Sequence, residues 1–111
     1  MNESEELYSL GIWTAKPGNE DALISAWQQF AQWTLEHQPG AGDEARMVQD
    51  VEHPNRFITF GTWEDAQSLQ AWRQTSEFIE FFRRARELCE EIQPNTLRTV
   101  AHVKRGYYEE G

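Results

Sequence analysis

Two hydroxyl side chains stand in matching surroundings in this chain. Ser9 opens the stretch SLGIW at 9–13, and Thr59 opens TFGTW at 59–63. In each copy a glycine (Gly11, Gly61) comes two positions on and a tryptophan (Trp13, Trp63) four positions on. Side chains alternate across a strand, so hydroxyl, glycine and indole of each copy share one face. A hydroxyl beside a glycine gap and an indole makes a polar fixture in an aromatic-walled space, which suits a small flat ligand. The same glycines would equally let a helix pack close or mark a bulge.

Other chemistry is sparse. His102 is the best single candidate for a proton acceptor, because imidazole titrates near working pH. His37, His53 and His102 fall at a helix end, a turn and a strand, with no metal-ligand spacing, so no metal is expected. KPGNED at 16–21 lacks the glycines and lysine placement of a phosphate loop, and no nucleophile elbow occurs. The lone cysteine, Cys89, falls on an apolar helical stripe and reads as a buried structural thiol.

These residues need elements to position them. LYSLGIWT at 7–14 reads as a strand, KPGN breaks it, and Asn19 can cap a helix starting at Glu20. From Glu20 to His37, residues Ala22, Leu23, Ala26, Trp27, Phe30, Ala31 and Trp33 recur at helical spacing, until PGAG at 39–42. Residues 45–51 and 56–62 read as a hairpin about the turn HPN. Thr62 and Asp65 have the spacing of a capping box, which predicts a helix carrying Ala66, Leu69 and Trp72. TSE at 75–77 reads as a kink or restart, and the stripe resumes through Phe78, Phe81, Phe82, Ala85, Leu88, Cys89 and Ile92, with Pro94 as its stop. Residues 96–104 close the chain as a strand. The fold class is α+β: a ferredoxin-like βαββαβ order on a four-stranded antiparallel sheet. The two SLGIW-like segments fall on its adjacent central strands. The domain spans 7–104, with flexible ends at 1–6 and 105–111.

Both faces of that sheet are apolar. One carries Ser9, Gly11, Trp13, Thr59, Gly61 and Trp63, and from the helices Trp27, Trp72 and Phe78 complete a candidate pocket against it. The other carries Tyr8, Leu10, Ile12, Ile58 and Phe60. Two helices cover only one face, and a bare face of this kind favours burial at about 25 cal/mol per Å2. A second copy laid sheet to sheet answers this, so a homodimer is expected.

The 111 residues suit one domain, and five tryptophans with six phenylalanines suffice for one core. A net charge of −9 argues against a nucleic-acid partner. Arg83, Arg84 and Arg86 read as a solvated helix face among glutamates. No signal-peptide core or membrane-length apolar run is visible, so a cytoplasmic protein with no membrane association is the expectation.

The stretches KPGNEDALISAW, PGAG, HPNRFITFGTWED and SLQAWRQTSEF together resemble the antibiotic biosynthesis monooxygenase (ABM) family over about residues 7–103. The resemblance implies a dimeric α/β barrel. It also implies, for some members, oxidation of electron-rich aromatics such as anthrones by O2 without metal, flavin or other cofactor. There the deprotonated substrate itself reduces oxygen, and the protein supplies a desolvated aromatic pocket with a base or hydrogen-bond partner. A non-enzymatic dimer binding a small apolar ligand stays open, as does a pocket filled by its own side chains. Haem-degrading relatives share a tryptophan at Trp72, but their first-strand asparagine and helical histidine ligand fall at Gly11 and Phe82. Neither residue can do that work, which argues against haem degradation.

Overall fold

The computed structural model describes residues 6–106. The expectations for 1–5 and 107–111 lie outside the described residues. Four strands and three helices run in the order β1 (Leu7–Ala15), α1 (Glu20–His37), β2 (Ala41–Gln49), β3 (Arg56–Trp63), α2 (Ala66–Arg73), α3 (Ser76–Leu88) and β4 (Cys89–Arg98). The sheet runs β2-β3-β1-β4, antiparallel throughout. This is the expected ferredoxin-like arrangement, with β1 and β3 side by side at its centre.

Local chemistry sets the boundaries. Asn19 sits at the start of α1 but makes no capping bond; its amide donates instead to the Leu88 carbonyl at 3.4 Å. Glu20 and Asp21 place negative charge in the first turn, against the positive end of the helix dipole. The capping box expected at Thr62 and Asp65 is not formed. Thr62 still belongs to β3, and Asp65 is itself the cap of α2, accepting from the Ser68 N–H at 2.8 Å. The restart at TSE is a clean break: Thr75 Oγ1 donates to the Trp72 carbonyl at 2.8 Å and accepts from the Phe78 N–H at 3.1 Å. One hydroxyl thus ends α2 and begins α3.

The end of α3 corrects the sequence expectation. The helix stops at Leu88, and Cys89 turns directly into β4 with φ −118° and ψ 150°. The stripe Ala85, Leu88, Cys89 and Ile92 keeps helical spacing only because the chain reverses without a loop, so strand residues continue the buried helix face. Cys89 and Ile92 are strand residues. Pro94 lies within β4, opposite Gly11, rather than stopping a helix. An edge strand tolerates this, because a proline there can turn its missing N–H to the unpaired side. β4 therefore begins at Cys89 and ends at Arg98, and residues 99–104 continue past the sheet.

The core lies between the sheet and the helices: Trp13, Ala15, Leu23, Phe30, Phe57, Phe81, Ala85, Leu88 and Cys89 are buried together. Alternation is as expected. On the reverse face Tyr8, Leu10, Ile12, Ile58 and Phe60 are half-buried by their neighbours along the sheet. Register puts Val48 opposite Ile58 and Leu97 opposite Tyr8, so both extend that face, and both are exposed. No helix among the described residues covers it.

Candidate ligand pocket

The register of β1 and β3 explains the repeated motif. Ser9 pairs with Gly61 and Gly11 with Thr59, so each hydroxyl lies opposite the other copy's glycine. The tryptophans then cross between strands. Trp13 Nε1 on β1 donates to Thr59 Oγ1 on β3 at 2.9 Å, and Trp63 Nε1 on β3 donates to Ser9 Oγ on β1 at 3.3 Å. Both indoles are only 3% exposed. A buried indole N–H without an acceptor costs about 1–3 kcal/mol, so each hydroxyl is required by the tryptophan of the opposite strand.

The two glycines differ. A Cβ on Gly11 would lie 2.8 Å from Trp13 Nε1 and 2.9 Å from Cε2 and Cζ2. The Trp13 indole folds back across Gly11 to reach Thr59, and only a residue without a side chain leaves that path. A Cβ on Gly61 would meet nothing nearer than Ala45 Cβ at 3.5 Å, an ordinary contact. Gly61 leaves room rather than avoiding a clash.

That room is part of a recess between sheet and helices. Its interior offers about 80 Å3 to the centre of a water-sized sphere, and with its mouth about 710 Å3 is free of protein atoms. A single water needs about 10–15 Å3 on the first measure, so a ring-sized group fits. All nine residues expected for the pocket, from Ser9 on β1 to Phe78 on α3, line it. Trp72 is its pivot. Its ring centroid lies 4.7 Å from Trp63, 5.6 Å from the near-parallel Phe30 and 4.8 Å from the edge-on Phe78. Phe82 closes the floor between Phe78 at 4.5 Å and Trp13 at 5.5 Å. Such tilted, stacked and edge-on pairs each contribute about 0.5–1.5 kcal/mol beyond area burial.

Thr34, which the sequence reading missed, adds a further hydroxyl to the recess. It is 6% exposed and accepts from Trp72 Nε1 at 3.0 Å. Its signal was present: it lies four residues after Phe30 and seven after Trp27, on the same helical face. Ser9, Thr34 and Thr59 each give a lone pair to an indole, and each keeps an O–H to donate. The recess is therefore apolar with hydroxyl donors, suited to an acceptor such as a carbonyl or phenolate oxygen.

Titratable groups lie elsewhere. His102 lies beyond the end of β4, is exposed, and does not line the recess, because the strand expected to carry it ends at Arg98. His37 Nδ1 lies 3.0 Å from the Trp33 carbonyl, and His53 lies in the β2–β3 turn beside Asp50. Among the described residues no three histidine, cysteine or acidic side chains are grouped to hold a metal. Cys89 is buried, and burial pushes its thiol up to about 11 against a smaller opposing pull from Lys16. It stays protonated near neutrality and is a poor nucleophile. Arg83, Arg84 and Arg86 are exposed or nearly so, with Arg83 paired to Glu80.

The family model for antibiotic biosynthesis monooxygenases matches residues 10–84. The chain belongs to this family. The matched stretch runs from β1 into α3 and takes in every expected pocket residue but Ser9. Solved structures share the fold. A point mutant of SnoaB from Streptomyces nogalater, a cofactor-independent oxygenase, superposes with a TM-score of 0.80 at 14% identity, over 89% of this chain and 97% of its own. PA3566 from Pseudomonas aeruginosa gives 0.77 at 22% identity, over 91% and 100%. A conserved protein from Methanosarcina mazei Go1 gives 0.78 at 20% identity, over 86% and 94%. A search of curated proteins finds no match. No helix among the described residues is long and apolar enough to cross a membrane.

Proposed function

We propose that this ABM protein is a monooxygenase that oxidises a small, flat, electron-rich aromatic, of quinol or anthrone type, with O2 and no added cofactor. The observation that carries the reading is the recess itself: aromatic walls, hydroxyls with O–H groups to spare, and a gap kept open by Gly61. Family membership and the shared fold with a cofactor-independent oxygenase support the same chemistry.

In that chemistry, for an anthrone, the activated CH2 of the substrate loses a proton, and the resulting anion passes one electron to O2. The radical pair combines to a peroxide, which loses water. One oxygen atom stays on the ring as a carbonyl. The other leaves as water with the two hydrogens of the original CH2. The walls exclude water, which strengthens hydrogen bonds to the developing oxyanion, and the hydroxyls fix the ring's orientation.

The reading includes a homodimer formed through Tyr8, Leu10, Ile12, Ile58 and Phe60. The exposed Val48 and Leu97 beside them support it by widening the apolar face. Incubation with anthrone under 18O2 tests the activity: one labelled oxygen in the quinone product, lost with Trp72→Ala, is expected. Ligand-dependent tryptophan quenching with no O2 uptake would leave instead a non-enzymatic binder of apolar ligands.

A further inference from the structure

The recess has aromatic walls and hydroxyls but, among the described residues, no carboxylate or imidazole inside it that could take a substrate proton. Among the described residues two charged side chains border it, Glu44 from β2 and Arg73 from α2; β1, β3, β4, α1 and α3 contribute none. Glu44 turns to solvent, with its side chain 77% exposed, and pairs with Arg46 at 3.4 Å. Arg73 is half-buried. One of its Nη2 hydrogens goes to Thr96 Oγ1 on β4 at 2.6 Å, which links α2 to the edge strand. Among the described residues no carboxylate forms an ion pair with it. Arg73 borders the recess, and a guanidinium has five N–H donors and stays charged, so one bond to Thr96 leaves most of its hydrogen-bonding capacity for a ligand.

We infer that Arg73 is an anion-recognition residue, and that the ligand class is an acidic phenol or enol bound as its anion. The inference rests on the reading of the recess as a ligand pocket, and it deepens that reading by naming the substrate class. With no base inside, the proton is released to solvent on entry, and the oxyanion is held between Arg73 and the hydroxyl donors. A neutral aromatic without an acidic O–H gains nothing from Arg73.

A dye titration tests this without turnover. Alizarin (1,2-dihydroxyanthraquinone) changes colour when its phenol ionises, and 9,10-anthraquinone serves as the neutral companion. The expected result is that bound alizarin ionises roughly one pH unit or more below free alizarin, a tenfold preference for the anion. Arg73→Gln should abolish that shift while anthraquinone binds as before. Arg73→Lys should keep part of it, and Glu44→Gln should leave it unchanged. A purely structural role for Arg73 would not move the dye's midpoint, and circular dichroism confirms that each variant is folded. If anthraquinone and alizarin both bind but the midpoint is unshifted, or is the same in Arg73→Gln, the assignment of Arg73 is overturned and the pocket stands. If neither compound binds, the pocket reading falls and the inference with it.

Discussion

Replacing Gly11 by alanine isolates the mechanism that shapes the pocket, and replacing Gly61 by alanine is its natural control. Both glycines sit in central strands, at equivalent places in the two motifs. At Gly11 the new methyl would stand 2.8 Å from Trp13 Nε1, inside any real contact distance, and the indole it meets is buried and bonded to Thr59. Relief requires Trp13 to swing away. Overpacking of this kind costs about 1–3 kcal/mol, and losing the Trp13–Thr59 bond adds about 0.5–1.5 kcal/mol. Alanine recovers about 0.4–1 kcal/mol by restricting the unfolded chain. The net expectation is a loss of about 0.5–4 kcal/mol. At roughly 4 °C per kcal/mol for a chain of this size, melting falls by ~2–16 °C. Gly61→Ala meets only an ordinary 3.5 Å contact, so the same restriction of the unfolded chain acts unopposed and melting should rise by ~2–4 °C. Thermal circular dichroism at one fixed protein concentration reads both. The double variant Gly11→Ala/Thr59→Val adds a check. If Trp13 has already left Thr59, the second change costs less than it does alone. Equal melting of the two glycine variants, or strictly additive costs in the double variant, would refute the account of why the motif holds a glycine.

Thr34→Val keeps the shape but leaves the Trp72 N–H without its acceptor; a loss of about 1–3 kcal/mol in urea unfolding is expected, with weaker quenching of tryptophan by anthraquinone. Phe60→Asp places a charge in the apolar reverse face, and sedimentation at low micromolar concentration should then show only a 13.0 kDa species where the parent is expected to sediment as a dimer. Asp65 has its carboxyl held below its ordinary value of 3.8, chiefly by the Ser68 N–H and hydroxyl. A group lowered in the folded state stabilises above its unfolded value and loses that contribution as pH falls through the folded one. Asp65→Asn should therefore flatten the acid limb of stability against pH below about 4, with little change in its slope near neutrality. Folded protein should resist iodoacetamide at pH 8, because the Cys89 thiol is buried and pushed up to about 11, and should react once unfolded in urea.

Much of the fold was legible because the strands and first helix carry clean periodicity. β1 and β3 alternate, α1 keeps a stripe from Leu23 to Phe30, and the order of elements then fixes which strands neighbour. The paired SLGIW and TFGTW stretches located the pocket face for the same reason. The illegible parts had a common cause: junctions without loops. The turn from Leu88 to Cys89 leaves helical spacing intact across a helix-to-strand boundary, so a stripe through Ile92 imitates a longer helix. That hid the true start of β4, misplaced Pro94, and put His102 on a strand that ends before it. The crossed tryptophan bonds were hidden as well, because a sequence shows that Trp13 and Thr59 share a face but not that the indole turns back over Gly11. Thr34 and Arg73 were overlooked because a polar residue on a helix reads as solvated until the neighbouring elements are placed.

The most direct measurement is a crystal structure grown with anthraquinone or alizarin. A planar ring stacked against Trp72 between sheet and helices, with a ring oxygen within hydrogen-bonding reach of the Ser9, Thr34 or Thr59 hydroxyls, is the predicted result. Compound found only on the Tyr8–Leu10–Ile12 face, or a recess collapsed onto Gly61 with no ligand in it, would contradict the account.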